Sequence, residues 1–531
     1  MKTSSYNLID RTFIRVVTKD GPAIVTLRDA LAQADSIIGV DSSSPLETVA
    51  LYRFLLAVIL DIAGLPPTID EWRARFETGH FDHDRIDSYF DRYHDRFDLF
   101  GEHPFYQVAG LEPSSGIWKS VALLRPEVAS GNNVPLFSSE TDATLPPFTF
   151  AEAAVHLVSC MCWDPAAIKT GAVGDPAAKA GKTTGNPTGP LGQLGVTLPM
   201  GRSLFETLML SVPIGPSSDE DIPAWRRDWG PQWSQHQPKG IKELLTWQSR
   251  RIRLQSDGNT IVAVTVSAGD RLEFTPPDLE PHCIWRQVKP GPKTTVSVSQ
   301  RPVRHQPGRS AWRGMNALLS MEEHDGNSDE FSTSLALRQI GWVHGLLGDT
   351  YPLDVLCVGV LYGNQSAVVE DVIADSIPVP VRALSDADGT PLRRDLVELA
   401  ERAEAVRKAL NDLDANIRRA EGGDAVPWGA GNHPGDNYMS QLDTPTLRVL
   451  HVLQKEPDLY EEGMAAWQRV VWDSAGQLAE QLLDSAAPSA VAGRQVKGRN
   501  QPLRLSDAQA IFWGALNKAL PDRTNRPKEE Q

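Results

Sequence analysis

The alternation of apolar and polar positions at the start of the chain predicts a β-hairpin followed by a buried helix. Residues Tyr6 to Val17 alternate as a strand does, and a Gly-Pro turn leads into a second short strand from Ile24 to Leu27. Ser44 is then predicted to cap a helix, with Glu47 completing a capping box. The apolar residues of this helix run from Val49 to Ile62. The chain therefore begins as an α+β fold.

The middle of the chain is predicted to mix further helices with short strands. Helical spacing is found in Phe148 to Trp163 and in Ser203 to Leu210. Strand-like runs follow at Ile261 to Val266, Arg271 to Phe274 and Thr294 to Val298. Between the two helices, about thirty residues are dense in Gly, Pro, Thr and Ala, and a connection of that length is more often functional than merely connecting.

The segment from Asp354 to Pro380 has the clearest hairpin pattern. A β-branched and apolar run from Val355 to Leu361 meets Gly363-Asn364-Gln365-Ser366, and a second apolar run leaves this turn, so a second hairpin is predicted. Side-chain amides at its tip offer hydrogen-bond donors and acceptors without the hydration cost of a charge. Taken alone, a polar tip of this kind is typical of a solvated turn.

The last part of the chain is predicted to be helical. Pro378 to Pro391 has the composition of a linker, and apolar residues beyond it recur at helical spacing with charged faces. The four helical segments are Arg394–Arg419, Thr444–Leu453, Tyr460–Leu483 and Asp507–Leu520. We therefore predict a large mixed N-terminal domain with β-hairpins and helices, residues 1–381, and a C-terminal four-helix bundle, residues 382–531.

Composition places the chain among globular proteins and restricts its partners. It has 531 residues, of which 41% are hydrophobic and 23% are charged, enough for several packed cores. The formal net charge of −16 argues against nonspecific nucleic-acid binding over the whole surface, although a local basic path can still contact phosphates. Four cysteines are too few for a disulfide framework and suit a reducing compartment, so a cytoplasmic location is expected.

No targeting or membrane segment is expected. The N-terminus lacks the long apolar core and the small-residue cleavage site of a secretory signal. The most apolar run, Leu51 to Ala63, is interrupted by Arg53 and Asp61 and is shorter than a membrane span. This run is predicted to be a buried helix, and no membrane contact is expected.

Two basic stretches interrupt this acidic chain. Residues 281–320 contain no Asp or Glu, and Trp285 and Trp312 lie among their basic side chains. The seven basic residues are Arg286, Lys289, Lys293, Arg301, Arg304, Arg309 and Arg313. A second acid-free stretch, between the last two predicted helices, carries Arg494, Lys497, Arg499 and Arg504. Either stretch is a solvated basic face or a path for a nucleic-acid backbone, and the sequence leaves both interpretations open.

Three motifs that suggest catalysis or metal binding are weak. The segment His80–Asp84 contains His-Asp pairs of the kind that bind divalent metals in phosphohydrolases, but its surroundings have the pattern of a helix crossed by ion pairs. A Gly-Lys-Thr run at residues 181–183 resembles the end of a phosphate-binding loop whose first glycine is replaced by Pro176. The cysteines lack a second zinc-spaced pair. We therefore expect a binding protein that is not an enzyme, with no metal and no cofactor.

Several short stretches, taken in order, resemble one protein family. They are Tyr6–Asp10 with Phe13–Val16, the run Glu102–Gln107 that reads E-H-P-F-Y-Q, Arg202–Leu204 after the Gly-rich connection, Trp247-Gln248, and Tyr362–Gln365. In this order they are similar to the family of large subunits, called CasA, of the type I-E CRISPR surveillance complex Cascade. The resemblance spans nearly the whole chain and includes the helical bundle.

This resemblance implies a DNA-recognition subunit of a ribonucleoprotein that serves antiviral defence. Members of the family lie beside the 5′ end of the CRISPR RNA and detect the protospacer-adjacent motif through the minor groove of double-stranded target DNA. They help to open the duplex, which starts R-loop formation, and they recruit a helicase-nuclease effector. Other Cascade subunits are further partners. A metal-dependent phosphohydrolase and a purely structural scaffold subunit are the alternatives.

The resemblance also implies roles for particular residues. Lys169–Gly174 matches the family's glycine loop, with Gly171 nearest the motif because a residue without a side chain permits a close approach. Asn364 and Gln365 match the wedge that unstacks the first target base pair. Arg271 stands in the region where the family has a lysine that contacts the motif.

Two further surfaces are expected to bind RNA, neighbouring subunits and the DNA backbone. Residues 131–139 match the family's loop that docks the RNA end and a neighbouring subunit, with apolar anchors at Val134, Leu136 and Phe137. The basic stretches are expected to follow the DNA backbone through Lys289, Lys293, Arg301, Arg304, Arg309, Arg494, Lys497 and Arg499.

Overall fold

A computed structural model describes residues 5–130, 133–134, 140–288, 300–321, 331–385, 389–425 and 433–521. The chain forms two compact units. Unit 1 consists of Met1–Arg309, Ser320–Leu346 and Leu353–Ser376, and unit 2 consists of Ser310–Leu319, Leu347–Pro352 and Ile377–Gln531.

Short strands and helices are interspersed through unit 1, whereas unit 2 is mostly helical. The helices are α1 (Leu27–Ala32), α2 (Pro45–Ala63), α3 (Ile69–Glu77), α4 (His83–Arg92), α5 (Phe150–Trp163), α6 (Leu204–Ser211), α7 (Ile241–Leu245), α8 (Met315–Leu318), α9 (Leu335–Trp342), α10 (His344–Leu347), α11 (Thr390–Glu421), α12 (Pro434–Lys455), α13 (Tyr460–Asp484), α14 (Ser489–Ala492) and α15 (Leu505–Ala519). The strands are β1 (Ile14–Thr18), β2 (Gly21–Val25), β3 (Ile37–Val40), β4 (Lys169–Thr170), β5 (Lys182–Thr183), β6 (Val196–Met200), β7 (Gln235–His236), β8 (Arg250–Ser256), β9 (Ile261–Ala268), β10 (Arg271–Leu272), β11 (Trp285–Gln287), β12 (Gln300–Pro302), β13 (Phe331–Ser332), β14 (Asp354–Tyr362) and β15 (Val369–Pro378).

Small sheets, rather than one large sheet, make up the β structure of the described residues. Their strand orders are β2-β1-β3, β5-β4-β9-β8, β15-β14-β6, β12-β11-β13 and the parallel pair β10-β7. This mixture confirms the predicted α+β class. The predicted helices at 148–163 and 203–210 and the strand at 261–266 are also confirmed, as α5, α6 and β9. The strand predicted at 294–298 lies outside the described residues.

The predicted opening hairpin is confirmed, but its first strand is shorter than predicted. β1 pairs antiparallel with β2 along its whole length. The strand was predicted to begin at Tyr6, whereas the Asn7 side chain accepts a hydrogen bond from the backbone N–H of Ile9 at 2.9 Å. Such a local side-chain bond turns the backbone and competes with strand pairing. The alternating pattern therefore continues through residues that are not in the strand.

The two charges that interrupt the apolar run of α2 are both paired. Arg53 donates two hydrogen bonds to the Glu280 carboxylate, at 2.6 and 2.9 Å. The Asp61 carboxylate accepts from Tyr89 Oη at 2.6 Å and from Arg226 Nη1 at 2.9 Å. A buried charge is tolerated when partners of this kind replace water. Within the described residues, no helix is long and apolar enough to cross a membrane.

The predicted N-cap of α2 is confirmed, but its capping box is not formed. Ser44 Oγ accepts a hydrogen bond from the Leu46 N–H at 3.3 Å. The Glu47 carboxylate instead accepts from Ser43 Oγ at 2.8 Å and lies 2.9 Å from Nδ1 of His156 on α5. A buried imidazole from another helix thus engages the carboxylate that local sequence assigns to the cap.

All four predicted helices of the C-terminal bundle are confirmed, as α11, α12, α13 and α15. Helix α11 has 32 residues and contacts the other three. Helix α12 begins at Pro434 rather than at the predicted Thr444, because Tyr438, Met439 and Leu442 in its first half are buried. Helix α12 is therefore longer than the stretch in which its apolar residues have the most regular helical spacing.

Unit 2 also takes in residues that precede the boundary predicted after residue 381. The segments Ser310–Leu319 and Leu347–Pro352 belong to it. Nε1 of Trp312 donates to Oδ1 of Asp443 on α12 at 2.7 Å. Contacts over such a distance in sequence cannot be read from local composition.

The predicted second hairpin is confirmed and is part of a three-stranded sheet. β14 pairs antiparallel with β6, from Asp354 opposite Met200 to Val358 opposite Val196. β15 lies along the other edge of β14. Tyr362 Oη donates to the backbone carbonyl at the end of α5. The strands of this hairpin are therefore held by β6 and by the end of α5.

A buried ion cluster, formed by Asp164, Lys169 and Arg250, holds the chain just beyond α5. The Asp164 carboxylate accepts from Arg250 Nε and pairs with Lys169 Nζ. Arg250 Nη2 also donates to the carbonyls of Pro165 and Pro187, at 3.1 and 2.7 Å. Burial acts to raise the pKa of the Asp164 carboxyl, but the two cations outweigh it and hold that pKa below its usual value. The cluster joins β8 and β4 to two points of the glycine-rich connection, residues 164–195, which is called the Gly-rich segment below.

Asp164→Asn is expected to lower the free energy of unfolding by about 3 kcal/mol, because it leaves two buried cations without their shared carboxylate. Denaturant titration measures this loss. Asp142→Asn makes the same change at an exposed carboxylate, and it is expected to alter stability by less than about 0.5 kcal/mol. Equal losses in the two variants would contradict the role of the ion cluster.

The contribution of Asp164 is expected to fall in acid. Its folded pKa lies below the ordinary value of about 4, so its contribution is complete above that pH and is lost as the pH falls through the folded pKa. The difference in unfolding free energy between the wild type and Asp164→Asn should be constant from about pH 7 to pH 5 and should shrink below about pH 4. A difference that grows on acidification would show that the carboxyl is not stabilised as an anion.

Candidate nucleic-acid interface

The tip of the β14–β15 hairpin presents two exposed amides on a strained backbone. A single 3₁₀ turn, Asn364–Ser366, is closed by a 2.8 Å hydrogen bond from the Ser366 N–H to the Gly363 carbonyl. Gln365 and Ser366 have φ angles of 53° and 56°, in the left-handed region that residues other than glycine rarely adopt. The Asn364 and Gln365 side chains are exposed, and neither hydrogen-bonds to a residue in the described ranges. Both amides can therefore meet another molecule.

Two hydrogen bonds hold this tip in place within unit 1. The Ala166 N–H donates to the Ser366 carbonyl at 2.9 Å. The Val369 N–H donates to Oδ1 of Asn133 at 3.0 Å. Ala166 follows Asp164 by two residues. The ion cluster therefore positions the segment whose backbone N–H holds the tip.

Gly171, the residue predicted to approach the DNA most closely, is buried in the turn that follows β4. Its N–H donates to the Gly181 carbonyl at 2.9 Å. A Cβ at this position would lie 2.9 Å from both the Gly181 carbonyl carbon and the Lys182 backbone nitrogen. The glycine is therefore required by packing inside the protein. The exposed residues of this turn are Val173 and Gly174.

Arg271 contacts the end of the same Gly-rich segment. Its Nη2 donates to the Thr184 carbonyl at 2.8 Å, and its guanidinium lies 3.6 Å from the ring centroid of Trp233. Burial and the charge of Arg250 lower the pKa of Arg271 from its usual value. The structure thus gives this arginine internal partners, and its contact with DNA stays a prediction.

A cavity of about 370 Å³ lies beside the hairpin tip and is called the tip cavity below. Its wall includes Ala367 of the tip, Ile168 and Thr170 of the Gly-rich segment, and the exposed residues Lys119 and Lys182. Neither lysine forms an ion pair with a described residue. Two cations without a described ion pair therefore line the same cavity as Ala367 of the hairpin tip.

No local sequence pattern predicts that both lysines belong to this site. They lie far apart in the chain and line one cavity because Lys119 bridges to β9, β9 pairs with β4, and β4 pairs in turn with the strand that holds Lys182. The one available signal was the Gly-Lys-Thr run at residues 181–183. Its spacing does not form a phosphate-binding loop, although its lysine still stands at the surface of the candidate site.

The remaining predicted contact residues occupy several surfaces. Val134 is exposed, whereas Leu136, Phe137, Lys289 and Lys293 lie outside the described residues. Among the residues predicted to contact the DNA backbone, Arg301, Arg304 and Arg309 are exposed in unit 1, and Arg494, Lys497 and Arg499 are exposed in unit 2.

The His-Asp segment starts a helix. Asp82 is the N-cap of α4, and its Oδ1 accepts from the Arg85 N–H at 3.1 Å. Nδ1 of His80 lies 3.0 Å from the Phe81 carbonyl oxygen. In the described ranges, no group of three or more His, Cys, Asp and Glu side chains is placed to hold a metal ion. The phosphohydrolase alternative needs the Asp82 carboxylate as a metal ligand. In the structure this carboxylate caps the helix.

Known proteins that resemble this chain share one description. The family model of CRISPR-associated protein Cse1 matches residues 7–478. The CRISPR-associated protein CasA/Cse1 of Thermus thermophilus is 31% identical over 328 residues, which make up 59% of this chain and 60% of that protein. The match thus spans about three fifths of this curated relative's length.

Solved structures show the same fold over most of the chain. Thermobifida fusca Cse1 is 30% identical, with a TM-score of 0.84 and coverage of 98% of both chains. A chain of a CRISPR RNA-guided surveillance complex shares the fold at 20% identity, with a TM-score of 0.68 and coverage of 90% of this chain and 99% of that chain. The model match over residues 7–478, supported by these structures, shows that the chain belongs to the CRISPR-associated protein Cse1 family.

Proposed function

We propose that this protein is the large subunit of a CRISPR RNA-guided surveillance complex, where it detects a protospacer-adjacent motif in double-stranded DNA and opens the duplex to start R-loop formation. The observation that carries the proposal is the hairpin tip, with its two exposed amides on a left-handed turn. Strained backbone of this kind concentrates at functional sites. Family membership supports the proposed partners, which are CRISPR RNA, other Cascade subunits and target DNA.

The tip acts as a wedge in this proposal. Separating and unstacking a base pair costs on the order of a few kcal/mol. The inserted hairpin tip must therefore keep its conformation when it meets the paired bases. The sheet below the tip and the bonds at Ser366 and Val369 supply that stiffness. Asn364 and Gln365 then offer donors and acceptors to base edges exposed by the opening.

The cations around the tip hold the separated strands. Lys119 and Lys182 in the tip cavity contact phosphates nearest the point of opening, where the repulsion between strands must be offset. Val173 and Gly174, the exposed part of the Gly-rich turn, follow the minor groove of the motif. The exposed basic residues predicted to contact the DNA backbone supply further phosphate contacts within each unit.

The subunit has no catalytic step of its own in this proposal and uses no cofactor. Destruction of the target belongs to a helicase-nuclease that it recruits once the duplex is open. The similarity of this chain to the CasA family supports this division of work. The carboxylate of the His-Asp segment that caps α4 leaves the phosphohydrolase alternative without a specific supporting contact.

Replacing Asn364 and Gln365 together with Ala is expected to slow target duplex opening by at least about tenfold, while affinity for pre-opened DNA changes by less than about twofold. The reason is that the wedge acts only on paired bases. Permanganate reactivity of the first target thymines measures opening, and filter binding measures affinity. Gln255→Ala, which removes an exposed amide on β8, serves as the matched control.

Gln365→Gly separates the amide from the backbone that carries it. Glycine adopts the left-handed conformation readily, so the hairpin should keep its thermal stability while duplex opening is still impaired. Equal losses on duplex and pre-opened DNA would contradict a wedge. No loss on either substrate would favour the purely structural scaffold.

Replacing Arg301, Arg304 and Arg309 with Ala is expected to flatten the salt dependence of DNA affinity. Each lost phosphate contact reduces the log–log slope by about 0.9, because fewer counterions are released. The matched control replaces three exposed basic residues in and just before the opening hairpin, Arg11, Arg15 and Lys19. An unchanged slope in the first variant would identify the stretch as a solvated face.

A further inference from the structure

A second cavity in unit 1, of about 400 Å³, combines aromatic and basic side chains and is called the aromatic cavity below. Trp247, Phe274 and Trp285 line it together with Arg301 and Arg304. It shares no lining residue with the tip cavity. Its volume lies in the range of about 300–1,000 Å³ that is usual for small-molecule sites.

One wall of the aromatic cavity contains a buried donor without an acceptor. Trp285 is 4% exposed, and its Nε1 has no hydrogen-bond partner in the described ranges. Trp247 is equally buried, but its Nε1 donates to the Asp270 carbonyl at 3.0 Å. Buried indole N–H groups usually have a partner, because losing one costs free energy. Trp285 thus keeps a buried donor that no described group satisfies, and a ligand in the cavity that brought an acceptor atom to it would remove this cost.

The charge of the cavity wall selects an anionic ligand. Arg301 and Arg304 are exposed cations. Of the two acids in the wall, Asp270 receives two hydrogen bonds from Arg251 Nη2, both at 3.0 Å, which neutralise it. Glu273 is the other acid and is exposed. The wall is therefore positive overall.

The accessible aromatic surface selects a flat ligand. Phe274 is 40% exposed, which is uncommon for a side chain of its size. Nucleobases stack on exposed aromatic rings with little dependence on sequence. A ring beside guanidinium groups is the combination that proteins use to hold single-stranded nucleic acid.

We propose that the aromatic cavity binds one unpaired nucleotide of the DNA strand displaced when the target duplex opens. The base stacks on Phe274 and accepts a hydrogen bond from Trp285 Nε1, while Arg301 holds the adjoining phosphate. This inference rests on the proposed function, since an unpaired nucleotide arises only after opening. It adds a capture site to the wedge, so that the displaced strand is held away from its complement.

The test uses the assembled complex and a target duplex that carries 2-aminopurine at successive positions of the displaced strand. Stacking on an aromatic ring quenches this base, so one position should be quenched in the wild-type complex. Phe274→Ala should restore its fluorescence and weaken binding of single-stranded DNA by about tenfold. Trp342→Ala removes another exposed aromatic ring of unit 1 and should leave both readings unchanged.

Trp285→Phe tests the hydrogen bond separately. It keeps an aromatic ring in the wall and removes the indole N–H, so it should weaken single-strand binding by about threefold to tenfold. Phe274 is at the surface, so its variant remains informative even if Trp285→Phe fails to fold.

The outcomes separate this inference from the proposed function. Permanganate reactivity shows whether the duplex opens, and no opening in the wild-type complex would overturn the proposed function itself. If the duplex opens but no displaced-strand position responds to Phe274→Ala, the capture site is overturned and the wedge stands. If free deoxynucleoside monophosphates bind the complex as tightly as the strand does, with the same dependence on Phe274, the site is one for soluble nucleotides and the strand assignment is overturned.

Discussion

The sharing of one buried carboxylate by two cations is the constraint on which the candidate interface depends. Asp164 pairs with Lys169 and Arg250, so the cluster carries one net positive charge in a buried place. Such an arrangement is stable only if the remaining donors are also satisfied. Arg250 meets that condition by bonding the carbonyls of Pro165 and Pro187, two separate points of the Gly-rich segment. The electrostatic requirement thus determines the path of a segment that has little regular structure.

The hairpin tip inherits its position from this arrangement. Ala166, directly after the cluster, bonds the Ser366 carbonyl, and the end of α5 accepts a bond from Tyr362 at the end of β14. The left-handed conformation of Gln365 costs on the order of 1 kcal/mol. It persists because hydrogen bonds from neighbouring segments fix the backbone of the turn. The same segment that is held by ion pairs therefore keeps two amides exposed and rigid. A binding site on a loop gains its precision in this way.

Much of the fold was predictable from local pattern. The hairpin at Asp354–Pro380, the buried helix α2 and the four helices of the C-terminal bundle all appear where apolar periodicity indicates. One error has a local cause, the Asn7 side-chain bond that shortens β1, whereas two others come from contact between distant segments. Glu47 faces His156 on another helix instead of completing its cap, and Trp312 joins unit 2 through Asp443. The periodicity of apolar residues indicates which face of a helix or strand is buried. It does not indicate which distant group contacts a given side chain.

The sequence alone determined the class of fold, the two polar residues at the hairpin tip and the resemblance to a family, because each depends on residues that are close together in the chain or on their order. Only the tertiary structure decided that Gly171 is needed for internal packing, that Arg271 contacts the Gly-rich segment, and that Lys119 and Lys182 line the same cavity as Ala367 of the tip. These facts depend on sheet pairings and on buried ion pairs between remote segments. Burial and charge pairing are properties of a three-dimensional neighbourhood, and that neighbourhood exists only after folding.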